Sequence, residues 1–103
     1  MYKNISAETA KKMMGEEKPY ILLDVRSAAE FKEIHIPGAI LIPNDQIKTR
    51  AKDELPDKDA LILVYCRSGA RAAGAANDLD HMGYKNVYNF GGIMNWSYET
   101  ARG

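Results

Sequence analysis

Four short apolar runs constrain the fold of this 103-residue chain more than any other feature. They are continuous rather than alternating, and they cover residues 20–23, 39–42, 61–65 and 87–88. Continuous apolar strands are typical of a sheet that is covered on both faces, as parallel sheets are. Ile5 is predicted to lie in a fifth, shorter strand at the edge of this sheet.

Helix signals lie between the apolar runs. Ser6 can cap a helix that runs through residue 14, with Gly15 just beyond its end. The Ser-Ala-Ala-Glu segment 27–30 has the capping-box pattern and predicts a short helix over residues 28–32. Asn44 can cap a further turn or two that ends at residue 47.

The clearest helix is predicted over residues 70–82, and Gly83 is placed to end it. Its apolar side chains share one face at helical spacing: Ala72, Ala75, Ala76, Leu79 and Met82. The glycine pair 91–92 is interpreted as a tight turn, because it lacks the spacing of a nucleotide-binding loop. A closing helix is predicted after it, over residues 93–100.

Strands that alternate with helices predict an α/β fold. We expect one domain over residues 1–103, with a central parallel five-stranded sheet flanked by helices on both faces. In such sheets the functional site lies beyond the carboxyl ends of the strands. Two segments bring polar residues to that edge, namely 24–26 and 66–71.

Composition excludes several classes of function. Fourteen basic and fourteen acidic residues cancel, so no nucleic-acid or membrane partner is expected. No apolar run approaches the length of a membrane span, and the first residues lack the apolar core of a signal peptide, so we expect a cytoplasmic protein. One cysteine and two isolated histidines are too few and too scattered to predict a metal-binding site, and no cofactor is expected. The size and neutrality of the chain permit a monomer or a weak dimer.

The single cysteine, Cys66, follows the apolar run 61–65 directly. A thiol at a strand end, below the amides of a turn and a helix N-terminus, sits in a positive field that favours the reactive thiolate. The next five residues are the predicted substrate-binding loop: Arg67, Ser68, Gly69, Ala70 and Arg71. Glycine suits a tight loop, and the two arginines add permanent charge that can hold an anionic substrate. Arg71 starts the helix and is expected to be better fixed, so it is expected to bind the anion ahead of Arg67.

The same ring of amides can stabilise a persulfide, which is also an anion. Cys66 can therefore attack a sulfane donor and pass the outer sulfur to an acceptor nucleophile, with no metal and no general base. A lone cysteine is more often a small buried apolar residue, but the strand end and the two arginines favour the reactive role here.

Other polar residues are assigned structural roles. His35 is interpreted as a turn histidine whose ring bonds to backbone, rather than as a base for the thiol. Asp24 is expected to accept amide hydrogen bonds at its strand end, and Arg26 is expected to pair with Glu30. His81 is expected on the solvent side of its helix.

The chain resembles the rhodanese family of sulfurtransferases over essentially its whole length. The resemblance rests on ordered landmarks: Leu23-Asp24-Val25-Arg26, Glu30-Phe31, His35-Ile36-Pro37-Gly38-Ala39, Leu55-Pro56, residues 64–71, Met82-Gly83-Tyr84, Val87-Tyr88-Asn89, and Gly91-Gly92-Ile93 with Trp96. It implies a persulfide on Cys66, a substrate loop over residues 67–71, a small-molecule donor such as thiosulfate, and cyanide or a thiol as acceptor. A protein acceptor is also open.

Two departures and two alternatives accompany the resemblance. Ile34 stands where many members have glycine, and Ala72 stands where many have serine. The missing serine and the lack of a second domain motivate a sulfur-carrier or binding module as an alternative. Phosphatases and arsenate reductases on this fold carry one more loop residue, because phosphate needs a wider ring. The Cys-x-x-x-x-Arg spacing here therefore favours sulfur transfer over those activities.

Overall fold

Five parallel strands form a single sheet in the computed structural model, which describes residues 1–17 and 19–103. The strand order is β1-β5-β4-β2-β3, and every neighbouring pair is parallel. The strands are β1 (Lys3–Asn4), β2 (Ile21–Asp24), β3 (Ile40–Leu41), β4 (Leu61–Cys66) and β5 (Asn86–Gly92). The predicted five-stranded parallel sheet is confirmed. Its edge strand ends just before Ile5, whose amide still donates to Asn89 O at 2.9 Å.

Two serines begin the first two helices, α1 (Ala7–Glu16) and α2 (Ala28–Glu33). Ser6 Oγ accepts the Thr9 amide at 3.0 Å, and the capping box predicted at Ser27 is present in full. Helix α1 does not end at Gly15. A C-cap glycine works through a positive φ, which Gly15 does not adopt, so the helix continues by one more residue.

The third helix, α3 (Ile47–Glu54), is longer than its sequence signal. A 3₁₀ turn over Asn44–Gln46 precedes it, so Asn44 is the first residue of a turn rather than a cap. Most of α3 is polar, and it is held by only two fully buried side chains, Ile47 and Ala51. No helix within residues 1–17 and 19–103 combines the length and apolar character needed to cross a membrane.

The core has two layers, one on each face of the sheet. Helix α4 (Ala70–His81) packs with α3 on one face, where Ile62, Val64 and Cys66 of β4 point. The other face packs against α1 and buries Leu63, Tyr65, Phe90 and Trp96. Each large apolar side chain that is fully buried contributes about 1.5–3 kcal/mol. Alternate residues of β4 therefore stabilise opposite layers, and Cys66 belongs to the α4 layer.

The closing helix predicted over residues 93–100 is wrong. Only a 3₁₀ turn forms, over Ile93–Asn95, and Trp96 has extended backbone. The Trp96 ring packs 5.6 Å from Phe90 and 4.9 Å from Tyr98, and its indole N–H donates to Glu99 O. This aromatic burial stabilises the extended segment more than one short helix would, since such helices are marginal.

A β-bulge lies where β4 and β5 reach the carboxyl edge of the sheet. Val64 pairs with Asn89, but Cys66 pairs with Gly92, so β5 carries one extra residue. Gly91 takes up the bulge with a φ of +92°, and a Cβ on Gly92 would lie 1.9 Å from Arg67 O. The glycine pair is therefore not a turn before a helix. It lets the loop after Cys66 lie directly against β5.

We predict that Gly92→Ala destabilises the protein by about 2–4 kcal/mol, because the added methyl group collides with backbone that cannot move aside. Gly74→Ala is the matched control, since nothing lies within 4 Å of a Cβ at that position of α4. It should stabilise the protein by about 0.5–1 kcal/mol through helix propensity. Urea unfolding of the two variants checks both signs, and equal stability would contradict the close approach.

Candidate active site

Cys66 ends β4 with its side chain turned towards the N-terminus of α4, and the residue is 1% exposed. The Gly69 amide donates to Cys66 Sγ at 2.9 Å. On the other side, the thiol lies 3.9 Å from Gly91 O, a long and weak contact. Among the described residues, Gly69 supplies the one amide within hydrogen-bonding distance of the sulfur. The ring of five amides expected from the sequence is thus represented by a single direct donor.

The loop between Cys66 and α4 is shaped by Gly69, which has a φ of +115° and is the N-cap of the helix. In the part of the chain that the structure describes, no side chain caps α4, whereas Ser6 and Ser27 cap α1 and α2. The first amides of α4 are therefore left without a side-chain acceptor, as in anion-binding helix termini. Ser68 and Ala70 are exposed on this loop, and Arg67 O accepts the Met94 amide at 3.2 Å.

Arg71 forms a bidentate ion pair with Glu30 of α2, at 2.7 and 2.9 Å. This pair lowers the pKa of the Glu30 carboxyl to about 2, with the hydrogen bond from Arg71 as the largest cause. It also raises the pKa of the Arg71 guanidinium. Half-buried Arg71 thus remains beside the loop, but both terminal nitrogens of its guanidinium group are already bound to a carboxylate. Glu30 links the α2 capping box to the first turn of α4.

The predicted pair between Arg26 and Glu30 is wrong. Arg26 instead binds Asp24, two residues earlier, at 2.8 Å, and both side chains are buried. Asp24 Oδ1 also accepts the Arg26 amide at 2.9 Å, and the guanidinium reaches Ile34 O. A buried charge requires a close partner, which Asp24 supplies to Arg26, while the Glu30 carboxylate is bound to Arg71. The structural role expected for both residues is confirmed by these contacts.

His35 has the structural contacts expected of it. Its Nδ1 lies 2.9 Å from Phe31 O, and its ring stacks on Phe31 with centroids 3.9 Å apart. Its backbone pairs with Ala101. His81 is exposed and bonds to Asn77 O within its own helix. Both imidazoles are therefore engaged with backbone rather than with the thiol.

A cavity of about 280 Å³ opens beside the loop. Its lining combines charged and apolar side chains: Arg26, Glu30, Glu33, Ile34, Arg67, Ile93 and Met94. Arg26 and Glu30 are bound to Asp24 and Arg71, as described above. Arg67 is exposed, and no side chain within residues 1–17 and 19–103 pairs with its guanidinium. Among the described residues, Arg67 is thus the cation of this cavity whose charge is not already paired, and exposed Glu33 places a carboxylate in the same lining.

Asn89 is the site residue that sequence reasoning missed. It is 6% exposed on β5, accepts the Gly91 amide at 2.9 Å and donates to Gly69 O at 3.4 Å. The available signal was an asparagine inside an apolar strand, where a buried amide needs specific partners. Gly91 lies two residues away on the same strand, but Gly69 lies twenty residues earlier in the chain, so the signal could mark the residue but not this second contact.

The model of the rhodanese-like domain family matches residues 6–99. The chain belongs to the rhodanese-like domain family. The Escherichia coli protein named thiosulfate sulfurtransferase PspE is 35% identical over 81 residues, which cover 79% of this chain and 78% of that protein. An Allochromatium vinosum protein named sulfurtransferase is 34% identical over 98 residues, which cover 94% of this chain and 90% of that protein.

Solved structures agree with this rhodanese-like assignment. A Staphylococcus aureus rhodanese-like domain protein superposes with a TM-score of 0.81 at 31% identity, over 98% of both chains. An Escherichia coli structure described as rhodanese with anions superposes with a TM-score of 0.77 at 33% identity. It is covered completely by 82% of this chain. The resemblance identified from the sequence landmarks is confirmed.

The Glu30–Arg71 pair generates a pH-dependent prediction. Glu30→Gln keeps an oxygen for the capping box but removes the charge, so we expect a loss of about 1 kcal/mol at neutral pH. The pKa of Glu30 is lowered on folding from 4.5 to about 2, so its stabilisation is present above pH 4.5 and is lost as pH falls towards 2. Urea unfolding of wild type and Glu30→Gln between pH 4.5 and pH 2 should show that the difference in their free energies of unfolding decreases as pH falls. A difference that is independent of pH would contradict the ion pair.

Proposed function

We propose that this protein is a sulfurtransferase in which Cys66 carries a sulfane sulfur as a persulfide. The observation that supports this most is the Gly69 amide, 2.9 Å from Cys66 Sγ, at the uncapped start of α4. A donor N–H and a helix N-terminus both stabilise an anion. The family assignment and the sulfurtransferase names of its relatives support the same activity.

The proposed cycle has two displacement steps. The Cys66 thiolate attacks the outer sulfur of thiosulfate, the S–S bond of the donor breaks, and sulfite leaves with the bonding pair. Cys66 then carries an anionic persulfide. In the second step cyanide or a thiolate attacks the outer sulfur, and the Cys66 thiolate leaves and is regenerated. The outer sulfur moves as a neutral atom in each step, so no redox cofactor is needed.

The loop residues have separate roles in this proposal. Cys66 is the nucleophile, and Gly69 stabilises its negative charge directly. Ser68 and Ala70 place only small, exposed side chains on the loop, so neither adds bulk at the surface above the thiol. Arg67 attracts the anionic donor, while Arg71 contributes positive charge from within its pair with Glu30. We therefore propose Arg67 as the main donor-binding arginine, although the sequence favoured Arg71. Both terminal nitrogens of the Arg71 guanidinium already donate to the Glu30 carboxylate.

A second candidate function is that of a sulfur carrier that loads Cys66 but leaves turnover to a partner. The Bacillus subtilis relative YrkF, 34% identical over 97 residues, is provisionally named a sulfur carrier protein, and those residues cover 51% of it. The 1% exposure of Cys66 fits a sulfur that is held rather than presented. Multiple-turnover kinetics distinguish the two functions.

Exposure to thiosulfate should add the mass of one sulfur atom to the protein, and subsequent cyanide should remove it as thiocyanate. Intact mass spectrometry and a thiocyanate assay measure these steps. Cys66→Ala should abolish both, because no other thiol is present. Thiocyanate formation that survives in Cys66→Ala would refute the nucleophile. A wild-type adduct without repeated turnover would favour the carrier function instead.

Arg67→Ala should raise the KM for thiosulfate about tenfold and leave kcat nearly unchanged, because the charge acts on donor binding. Arg67→Lys keeps the charge without the planar fork and should be intermediate. Steady-state kinetics with thiosulfate varied at fixed cyanide give both parameters. Equal KM values in all three proteins would remove Arg67 from the donor site.

A further inference from the structure

Asn89 lies on the face of β5 that is shared with Cys66. In the register of the sheet it pairs with Val64, which belongs to the same core layer as Cys66. Its side chain is almost fully buried, below the start of α4. A buried carboxamide costs free energy unless its polar atoms are bonded, and both ends of this one are.

The carboxamide contacts the two glycines whose peptide groups face the sulfur. Asn89 Oδ1 accepts the Gly91 amide at 2.9 Å, and Nδ2 donates to Gly69 O at 3.4 Å. Gly69 in turn donates its own amide to Cys66 Sγ, and Gly91 O lies 3.9 Å from that sulfur. One side chain therefore connects the donor and the acceptor on the two sides of the thiol.

Gly69 O also accepts the Ala73 amide of α4 at 2.9 Å, so Asn89 adds a second support to Gly69, while it bonds directly to the Gly91 amide. The φ values of the two glycines are +115° and +92°, and glycine is the residue with the broadest choice of backbone conformation. A rotation of Gly69 would turn its amide away from Sγ. A rotation of Gly91 would alter how closely its carbonyl, which an anionic sulfur disfavours, approaches the thiol. The side chain that fixes both glycines controls the balance between these contacts.

We propose that Asn89 is a positioning residue for sulfur transfer, a role that rests on the proposed function of Cys66. It holds Gly69 and Gly91 so that the Gly69 amide stays directed at Sγ. Asn89 does not contact the sulfur itself. Its loss therefore weakens stabilisation of the anionic sulfur, while Arg67 and its contact with the donor are left unchanged.

The test compares Asn89→Ala with a matched control on the same strand. Asn86 also bonds through Nδ2 to a backbone carbonyl, that of Asp59 at 2.8 Å, but it is exposed at the other end of β5. Asn89→Ala should lower both the rate constant for alkylation of Cys66 by iodoacetamide at neutral pH and kcat by about tenfold. The KM for thiosulfate should change less than twofold. Asn86→Ala should leave all three values unchanged.

Asn89→Ser provides a second variant in case the alanine variant does not fold. Its hydroxyl can reach only one of the two glycines, so an intermediate alkylation rate is expected. Alkylation and kcat values within twofold of wild type in folded Asn89→Ala or Asn89→Ser would overturn the inference. So would unfolding of both variants while Asn86→Ala folds, because Asn89 would then serve stability.

The alkylation measurement does not depend on sulfur transfer. A wild-type protein that alkylates but takes no sulfur from thiosulfate would refute the proposed function. In that case the ranking of alkylation rates in the variants still decides whether Asn89 positions the groups around the thiol.

Discussion

The close approach of the loop after Cys66 to strand β5 is the constraint on which the site depends. Gly92 has no room for a Cβ against Arg67 O, and Gly69 lies against Gly91. This contact turns the chain sharply enough for the Gly69 amide to face Cys66 Sγ while α4 begins immediately afterwards. A hydrogen-bond donor and a helix N-terminus are thus brought to one sulfur atom, and no charged side chain within residues 1–17 and 19–103 hydrogen-bonds to it.

The three arginines around the site fall into two groups, those paired with a carboxylate and the one that is exposed to solvent. Buried Arg26 is bound by Asp24, and half-buried Arg71 is bound by Glu30, so each of these cations stabilises structure. Arg67 is the arginine that faces solvent at the cavity beside the loop. Because exposed charges attract ions from solution while paired charges are already compensated, the proposed binding of an anionic donor is given to Arg67, and Arg26 and Arg71 stabilise the structure around the loop.

Local patterns predicted most of the framework correctly. The short apolar runs, the two serine caps and the alanine-rich face of α4 are set by neighbouring residues, so they can be read along the chain. The prediction of a closing helix over residues 93–100 was wrong because the packing of Trp96 against Phe90 and Tyr98 is a tertiary contact that outweighs local helix propensity. The prediction of an Arg26–Glu30 pair was wrong for a related reason. Tertiary packing brings Asp24 to Arg26 and Arg71 to Glu30.

The sequence by itself determined the class of fold, the position of the thiol at a strand end, and the family to which the chain belongs. Each follows from residue order and short-range spacing. Only the tertiary structure decided which amide reaches the sulfur, which arginine is left to meet an anion, and that Asn89 connects Gly69 with Gly91. The contacts of Arg71 with Glu30 and of Asn89 with Gly69 join segments twenty or more residues apart. The Gly69 amide is only three residues from Cys66, but the close approach of its loop to β5 directs it at the sulfur. This geometry depends on strand register, a bulge and side-chain packing.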